Sequence, residues 1–455
     1  MTDSDIRRAD AVYSALLARA GEAWVEPRLD RTAKLLEYLD NPQRTYRVVH
    51  ITGTNGKTST ARIIESLVRA HGLRTGLFTS PHLVRFTERI LIDGEPIADE
   101  AVADAWDEIF PFLALVDAEL DADGQAPLTF FELLTALAFV ACADAPVDVL
   151  VLEVGMGGAW DSTNTADGDV AVFTPIDIDH AARLGSTRAE IAEVKAGIIK
   201  QGAAVVSSRQ EPDAAAVLRR VAAENDASIA FEGDDFALVE TKLAVGGQLV
   251  RVRGLAGDYE EEYLPIYGAH QGANAALAVA AVESLIGGGT QRIASDIRTE
   301  GFGETVSPGR LQLVGTEPTV IVDAAHNPHG ARALVRALKE SFDFEEWGVV
   351  LGVMADKDVA GVIEELKPLA AHLFATEAAS ERAASADEIA DAAELQGLRP
   401  TAHRDIAEAA EAAREWAAEG EKRAIVIAGS VVLGGEAIAL SRVEGWKTAS
   451  VGDED

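Results

Sequence analysis

The stretch Arg47-Val-Val-His-Ile-Thr-Gly-Thr-Asn-Gly-Lys-Thr-Ser-Thr60 reads as a β-branched strand, a glycine turn and the first turn of a helix. Each part suits a nucleotide triphosphate. Gly53 and Gly56 permit positive φ and close backbone approach, so several N–H groups converge on phosphate while the helix N-terminus adds partial positive charge. Lys57 supplies a full charge, and Thr58 offers a hydroxyl to the Mg²⁺ that accompanies the nucleotide. The strict pattern G-x-x-x-x-G-K-[ST] fails, because its first glycine falls at Ile51; the loop is the shorter Gly53-x-x-Gly56-Lys57-Thr58. A strand-to-helix turn with an incidental lysine is the competing reading, and the flanking strand and helix weigh against it. ATP is the expected ligand.

Outward from this loop, strand and helix patterns alternate, which predicts an α/β fold of parallel sheets covered by helices. A helix is predicted over 58–70 and strands over 75–79, 147–153 and 170–176, each strand running into a polar loop: Ser80-Pro81-His82, Val154-Gly-Met-Gly-Gly158 and Asp177-Ile-Asp-His180. Ligands of open α/β sheets gather at those carboxyl ends. The region 229–266 changes to short strands, with Gly246-Gly247 as a hairpin signal, before an Ala-rich helix over 274–285 that Gly287-Gly-Gly289 ends. Near Ser307-Pro-Gly-Arg310 a second series begins, with strands over 319–323, 348–353, 371–376 and 424–428; the Ala/Glu runs of 384–420 read as surface helices. Two doubly wound domains, 1–305 and 306–455, are expected.

The chain has 455 residues, 48% of them apolar, and carries 40 Lys plus Arg against 75 Asp plus Glu, a net charge of −35. Duplex DNA or an anionic membrane would be repelled, so neither nucleic acid nor membrane is expected as a partner. The acidity is spread over helices and the end Gly452-Asp-Glu-Asp455, and reads as a solvated surface. Cys142 is the only cysteine, so no internal disulfide is possible and a buried small residue is expected. With no signal-peptide core and no apolar run near 18 residues, a cytoplasmic protein is expected.

Glu153 closes an apolar strand before a glycine turn, so its carboxylate is expected at the sheet edge that holds Lys57, as a metal ligand. His180 and Ser80 are read as ending strands in the same way, giving two oxygens and an imidazole that converge near the triphosphate. Lys195, in the amphipathic stretch Ile191-Ala-Glu-Val-Lys-Ala-Gly-Ile-Ile-Lys200, reads from spacing alone as a surface lysine. In the second domain, Asp323 ends a strand and suits a ribose contact or an Asx turn, and His326 suits phosphate or a cap. Arg310 is placed to reach phosphate from across the interdomain cleft. The acid and base of Asp356-Lys-Asp358 are read as able to pair with each other.

These residues are similar to a known pattern. Gly53-Thr-Asn-Gly-Lys-Thr-Ser59, Thr79-Ser-Pro-His-Leu83, Glu88-Arg-Ile-Leu-Ile-Asp-Gly-Glu-Pro-Ile97, Glu153-Val-Gly-Met-Gly-Gly158, Asp161-Ser-Thr-Asn164, Ile178-Asp-His180, Lys195-Ala-Gly-Ile-Ile-Lys200, Ser307-Pro-Gly-Arg-Leu311, Asp323-Ala-Ala-His-Asn-Pro328 and Asp356-Lys-Asp358 follow in order. Together they resemble the Mur-ligase superfamily and, within it, the folylpolyglutamate synthase and dihydrofolate synthase group. Ser-Pro-His-Leu and the Glu-Arg-Ile segment set that branch apart from the peptidoglycan branch.

The resemblance implies a P-loop NTPase-like Mur-ligase central domain followed by a smaller Rossmann-like α/β domain, with substrates in the cleft between them. It implies an ATP-dependent amide ligase that phosphorylates a substrate carboxylate and lets the amine of L-glutamate attack the acyl phosphate. Asn55, Gly56, Lys57 and Thr58 then cradle phosphates, and Asn274, Arg310 and Asp323 contact nucleotide. Ser80, Glu153 and His180 bind Mg²⁺, and His326 lies near the transferring phosphate. Lys195 matches a lysine that is carbamylated in this family and helps hold a second Mg²⁺, which overturns its reading as a surface residue. A carbamate oxygen ligates Mg²⁺ where an ammonium cannot. Thr129, Phe130, Phe131 and Glu132 with Trp160, Asp161 and Ser162 resemble the lining of a dihydropteroate pocket, with Arg31 as a further candidate. Two positions depart from the family pattern: Ala159 stands where arginine is common, and Val194 where glutamate is common. A monomer acting on folate or dihydropteroate is expected. The alternatives are a Mur-type ligase with a non-folate acceptor and a catalytically silent ATP-binding regulator.

Overall fold

The computed structural model describes residues 3–21 and 27–446; the acidic end read from the sequence lies outside them. The first sheet is built from β1 (Arg47–Thr52), β2 (Thr75–Phe78), β3 (Ile90–Ile92), β4 (Glu95–Pro96), β5 (Val149–Glu153), β6 (Val170–Phe173), β7 (Ala204–Ser207) and β8 (Ser228–Phe231). Their order is β4-β3-β2-β5-β1-β6-β7-β8. The strands from β2 to β8 in that order are parallel, whereas β3 and β4 pair antiparallel at one edge. β1 is therefore central, with Ile51 opposite Glu153 on one side and Thr52 opposite Phe173 on the other.

Alternation along β1 sends successive side chains to opposite faces. Val49 and Ile51 pack with Ile63, Ile64 and Leu67 of helix Lys57–Ala70 and with Ala275, Ala278 and Val282 of helix Ala269–Gly287. Val48 packs on the other face with Leu134, Leu137 and Phe139 of helix Phe130–Asp144, backed by helices Asp3–Leu17 and Asp99–Ala122. Helices Arg188–Ala196 and Pro212–Glu224 cover β6 and β7 through Ile191, Ala192 and Leu218. Each such aliphatic side chain contributes about 1.5–3 kcal/mol when fully buried, so a strand buried on both faces is firmly fixed.

A small antiparallel sheet of β9 (Ala237–Ala244), β10 (Gly247–Arg253) and β11 (Asp258–Leu264) packs on helix Ala269–Gly287, and the predicted Gly246-Gly247 hairpin joins β9 to β10. The last sheet comprises β12 (Gln312–Thr316), β13 (Thr319–Val322), β14 (Glu346–Leu351), β15 (Ala370–Thr376), β16 (Pro400–His403) and β17 (Arg423–Ala428), ordered β12-β13-β17-β14-β15-β16. Only β12 is antiparallel. The helical reading of 384–420 holds for Ala386–Leu395 and Ile406–Ala418, but β16 lies between them as an edge strand. The Ala-rich helix starts at Ala269 and not at 274, which places Asn274 within its second turn. Among the described residues no helix is long and apolar enough to cross a membrane.

Candidate active site

The loop after β1 has the backbone that its glycines allow. Gly53 has φ +151°, and a Cβ there would lie 1.9 Å from Thr174 Oγ1; Gly56 has φ +88°, and a Cβ there would lie 2.8 Å from Asn274 Oδ1. No other residue type fits either place without displacing a neighbour. Helix Lys57–Ala70 starts from Gly56 without a side-chain cap, so its first N–H groups face the cleft with no internal partner. Lys57 Nζ donates to the carbonyls of Gly53 and Thr54 at 3.3 and 3.2 Å. The loop is tied down by Thr54 Oγ1, which donates to the carbonyl of Asp177 at 2.9 Å.

Glu153 ends β5 as predicted and is buried, with both carboxylate oxygens accepting from Thr58 Oγ1 at 3.0 and 2.9 Å. Burial raises its pKa, opposed by the charge of Lys57 and the Thr58 hydroxyl. Ser80 lies two residues beyond β2 and its backbone also bonds Glu153. His180 differs from its predicted place: β6 stops at Phe173, and His180 sits in the following loop at φ 50°, capping the short helix Ala181–Leu184. Burial lowers its pKa to about 4.

Lys195 is not a surface lysine. Its side chain is 4% exposed and Nζ donates to the Gly53 carbonyl at 2.8 Å. Burial, with Lys57 nearby, lowers its pKa to about 7. The two departures lie beside it: Ala159 N donates to the Val194 carbonyl at 2.8 Å, and a Cβ at Gly197 would be 2.4 Å from Ala159 Cα. Glycine at 197 therefore lets this loop lie against the helix that carries Lys195.

The last, six-stranded sheet supplies the opposite wall. Asp323 Oδ2 accepts from Leu311 N and Oδ1 from Ala325 N, both at 2.9 Å, so it makes the Asx-type turn and lines the cleft beside Arg310. His326 Nδ1 is 2.9 Å from the Ala324 carbonyl, and burial lowers its pKa to about 4. A carbonyl accepts only, so Nδ1 carries the proton and Nε2 of the neutral ring is an acceptor. The expected Asp356–Lys357–Asp358 pairing does not form: Asp356 pairs with Arg382, Asp358 caps helix Val359–Leu366, and Lys357 Nζ crosses the cleft to Asp179 Oδ1 at 3.2 Å. Asp179, which burial alone would raise, is held down to about 2 by His180, Lys357 and His326. Asn327 and His329 reach Asn55 of the phosphate loop at 3.2 and 2.9 Å.

One cleft of about 1060 Å³ takes in Asn55 to Thr58, Ser80, Thr129, Phe131, Glu132, Glu153, Trp160 to Ser162, His180, Lys195, Asn274, Arg310, Asp323 and His326. Two sequence candidates stay outside it. Arg31 is buried with Nε on Gln125 Oε1 at 2.9 Å, and Phe130 is in the core beneath Tyr13 and Arg89. Arg28, absent from the sequence candidates, lines the cleft instead and pairs with Glu132 at 3.1 Å; only its place three residues before Arg31 pointed to it. Asp179 and Lys357 were visible within quoted motifs, but nothing local signalled their pairing. Among the described residues no three His, Cys, Asp or Glu side chains form a ready cage for an ion. Mg²⁺ keeps waters and substrate phosphates among its ligands and takes one or two carboxylates from protein. The buried Glu153 beside the Thr58 hydroxyl fits that role.

A phosphate loop facing a second α/β lobe across such a cleft is the arrangement of an ATP-dependent ligase, and the family models agree. The Mur ligase middle domain matches residues 97–282 and the Mur ligase glutamate ligase domain matches 309–431. The dihydrofolate synthase/folylpolyglutamate synthase of Mycobacterium tuberculosis is 44% identical over 402 residues, 86% of this chain and 82% of that protein. The M. tuberculosis folylpolyglutamate synthase complexed with ADP superimposes with a TM-score of 0.91 at 42% identity, covering 96% of this chain and 99% of the other. E. coli FolC in complex with DHPP and ADP superimposes at 0.83 with 28% identity, covering 96% and 98%. The chain belongs to the dihydrofolate synthase/folylpolyglutamate synthase family of Mur ligases.

Proposed function

We propose that this chain is a bifunctional dihydrofolate synthase and folylpolyglutamate synthase: it uses ATP to join L-glutamate to dihydropteroate and to tetrahydrofolates, giving ADP and phosphate. The observation that carries this reading is that an uncapped phosphate-loop helix, the buried Glu153 bonded by Thr58 and an aromatic wall of Phe131 and Trp160 meet in one cleft. Residues 1–305 form the ATP-binding domain with the folate segments, and 306–455 the glutamate-ligase domain.

Asn55, Gly56, Lys57 and Thr58 hold the phosphates, and Asn274, Arg310 and Asp323 contact the nucleotide. The acceptor carboxylate attacks the γ-phosphorus, the β–γ P–O bond breaks, and an acyl phosphate forms. The amine of L-glutamate then adds to the acyl carbon, loses its proton, and the C–O bond to phosphate breaks. His326, neutral and with Nε2 as an acceptor, is suited to take that proton. Lys57 and Arg310 face the charge that develops on the phosphoryl oxygens. Ser80, Glu153, His180 and carbamylated Lys195 would hold two Mg²⁺ ions, which supply positive charge to the phosphate and the carboxylate when bound. The lowered pKa of Lys195 supports the carbamate, since only a neutral amine adds CO₂, releasing a proton. Thr129, Phe131, Glu132, Trp160, Asp161 and Ser162 form the acceptor wall, with Arg28 in place of Arg31. The enzyme acts as a cytoplasmic monomer.

The test is an acceptor panel. With ATP, Mg²⁺ and L-glutamate, phosphate release is expected with dihydropteroate and with tetrahydrofolate, and none with a UDP-muramyl acceptor. Release with the muramyl compound alone overturns the folate reading, and release with none of them leaves an ATP-binding protein without ligase activity.

A further inference from the structure

His50 stands in the strand that leads into the phosphate loop, yet nothing in the nucleotide reading uses it. Its side chain is fully buried. Burial, with the charge of Lys200 as the smaller cause, lowers its pKa to about 3, so the ring is neutral and carries one N–H. Nε2 lies 3.0 Å from Thr163 Oγ1, and Nδ1 has no hydrogen-bond partner among the described residues. Thr163 Oγ1 lies in turn 2.5 Å from Asp161 Oδ1.

The directions of these bonds follow from the groups themselves. Burial raises the Asp161 pKa, opposed first by the Thr163 hydroxyl and then by backbone N–H groups that bond its ionised form; in that form the carboxylate only accepts, so the single Thr163 hydroxyl proton points to Asp161. The Thr163 oxygen must then accept from His50, which fixes the Nε2–H tautomer and leaves Nδ1 as a bare lone pair. Asp161 is itself buried; besides the hydroxyl, Oδ1 accepts from Thr163 N at 3.1 Å and Oδ2 from Met156 N at 2.9 Å. Met156 belongs to the glycine loop after β5, where a Cβ at Gly155 would lie 2.5 Å from the ring of Phe131. Thr52 Oγ1 also holds this loop, donating to the Gly157 carbonyl at 2.7 Å.

We infer that His50 and Thr163 are positioning residues for the acceptor end of the cleft: the chain His50 Nε2–H to Thr163 Oγ1–H to Asp161 Oδ1 aims the Asp161 carboxylate and, through it, the loop that faces Phe131. This rests on the proposed acceptor wall of Phe131, Trp160 and Asp161. The strand that delivers the phosphate loop thus also sets the acceptor pocket, from one buried imidazole. A hydrogen-bonded core pair without this role would affect stability and leave substrate affinities alone.

The test reads KM for dihydropteroate, KM for ATP, kcat and thermal midpoint in matched variants. Thr163→Val and His50→Leu break the chain; Thr163→Ser keeps the hydroxyl, and His50→Gln keeps an N–H donor near Nε2. Loss of a hydrogen bond serving a charged group predicts an acceptor KM raised about tenfold in the first pair, with the ATP KM unchanged and the second pair near the parent value. A lower midpoint with both KM values unmoved, or both moved equally, overturns the inference. Asp161→Asn separates the two readings: an unchanged acceptor KM there sinks the acceptor wall, whereas a raised one beside an unaffected Thr163→Val sinks the relay alone. Should His50→Leu fail to fold, ¹⁵N spectra of the parent imidazoles decide, since a His50 ring protonated at Nδ1 excludes the chain.

Discussion

At the scale of single residues, the two lysines of the cleft differ in what holds them. Among the described residues the hydrogen bonds of Lys57 Nζ go to the carbonyls of its own loop, so its removal breaks no contact between distant segments and takes a unit charge from the phosphates. Lys57→Ala is expected to lower kcat/KM by roughly 10²–10³-fold with an unchanged thermal midpoint, the size seen when one preorganised donor is deleted; phosphate-release kinetics beside a melting curve check this. Lys195 is packed inside, and burial, with Lys57 nearby, lowers the pKa of its amine to about 7. Lys195→Ala is expected to lose turnover and to regain part of it with added short carboxylates that replace the carbamate. ¹³C-labelled bicarbonate should give a carbamate signal in the parent protein that the variant lacks.

At the scale of elements, the glycine loop after β5 and helix Phe130–Asp144 meet face to face. Phe130 and Phe131 are neighbours on a helix, about 100° apart, so only one of them can face the cleft. Packing turns Phe130 into the core and Phe131 to the wall. Gly155→Ala places a methyl against the Phe131 ring at 2.5 Å. Displacing the ring is expected to raise the acceptor KM about tenfold, the scale of a modest overpacking penalty, with ATP affinity retained; equilibrium binding of each substrate separates the two effects. The loop after β2 packs as closely on the second lobe, since a Cβ at Gly435 would lie 1.8 Å from the Leu83 carbonyl oxygen.

At the scale of the molecule, the two lobes are joined by polar contacts across the cleft. Lys357 and Asp179 form a mostly buried pair. Lys357→Ala strands the carboxylate, and a loss of about 1–3 kcal/mol is expected in denaturant unfolding, between the values for exposed and fully buried pairs. Acid sensitivity is also built in. His50, His270 and His326 have folded pKa values lowered to about 3, 4 and 4, chiefly by burial. The unfolded chain binds more protons than the folded one between the ordinary histidine pKa of about 6.5 and these values, so stability falls as pH drops through that window. Melting curves from pH 7 to pH 4 are expected to show that fall, and His50→Gln is expected to reduce it.

The sequence by itself determined the phosphate loop, the α/β alternation and the strand-end place of Glu153, because these are written in near neighbours: glycine conformations, β-branched runs and the turn that follows them. Tertiary structure decided which lysine is buried, that Arg28 and not Arg31 meets the cleft, that His180 lies in a loop, and that Lys357 spans to Asp179. Those outcomes depend on desolvation and on packing between segments far apart in the chain, and no local pattern records what will be laid against it.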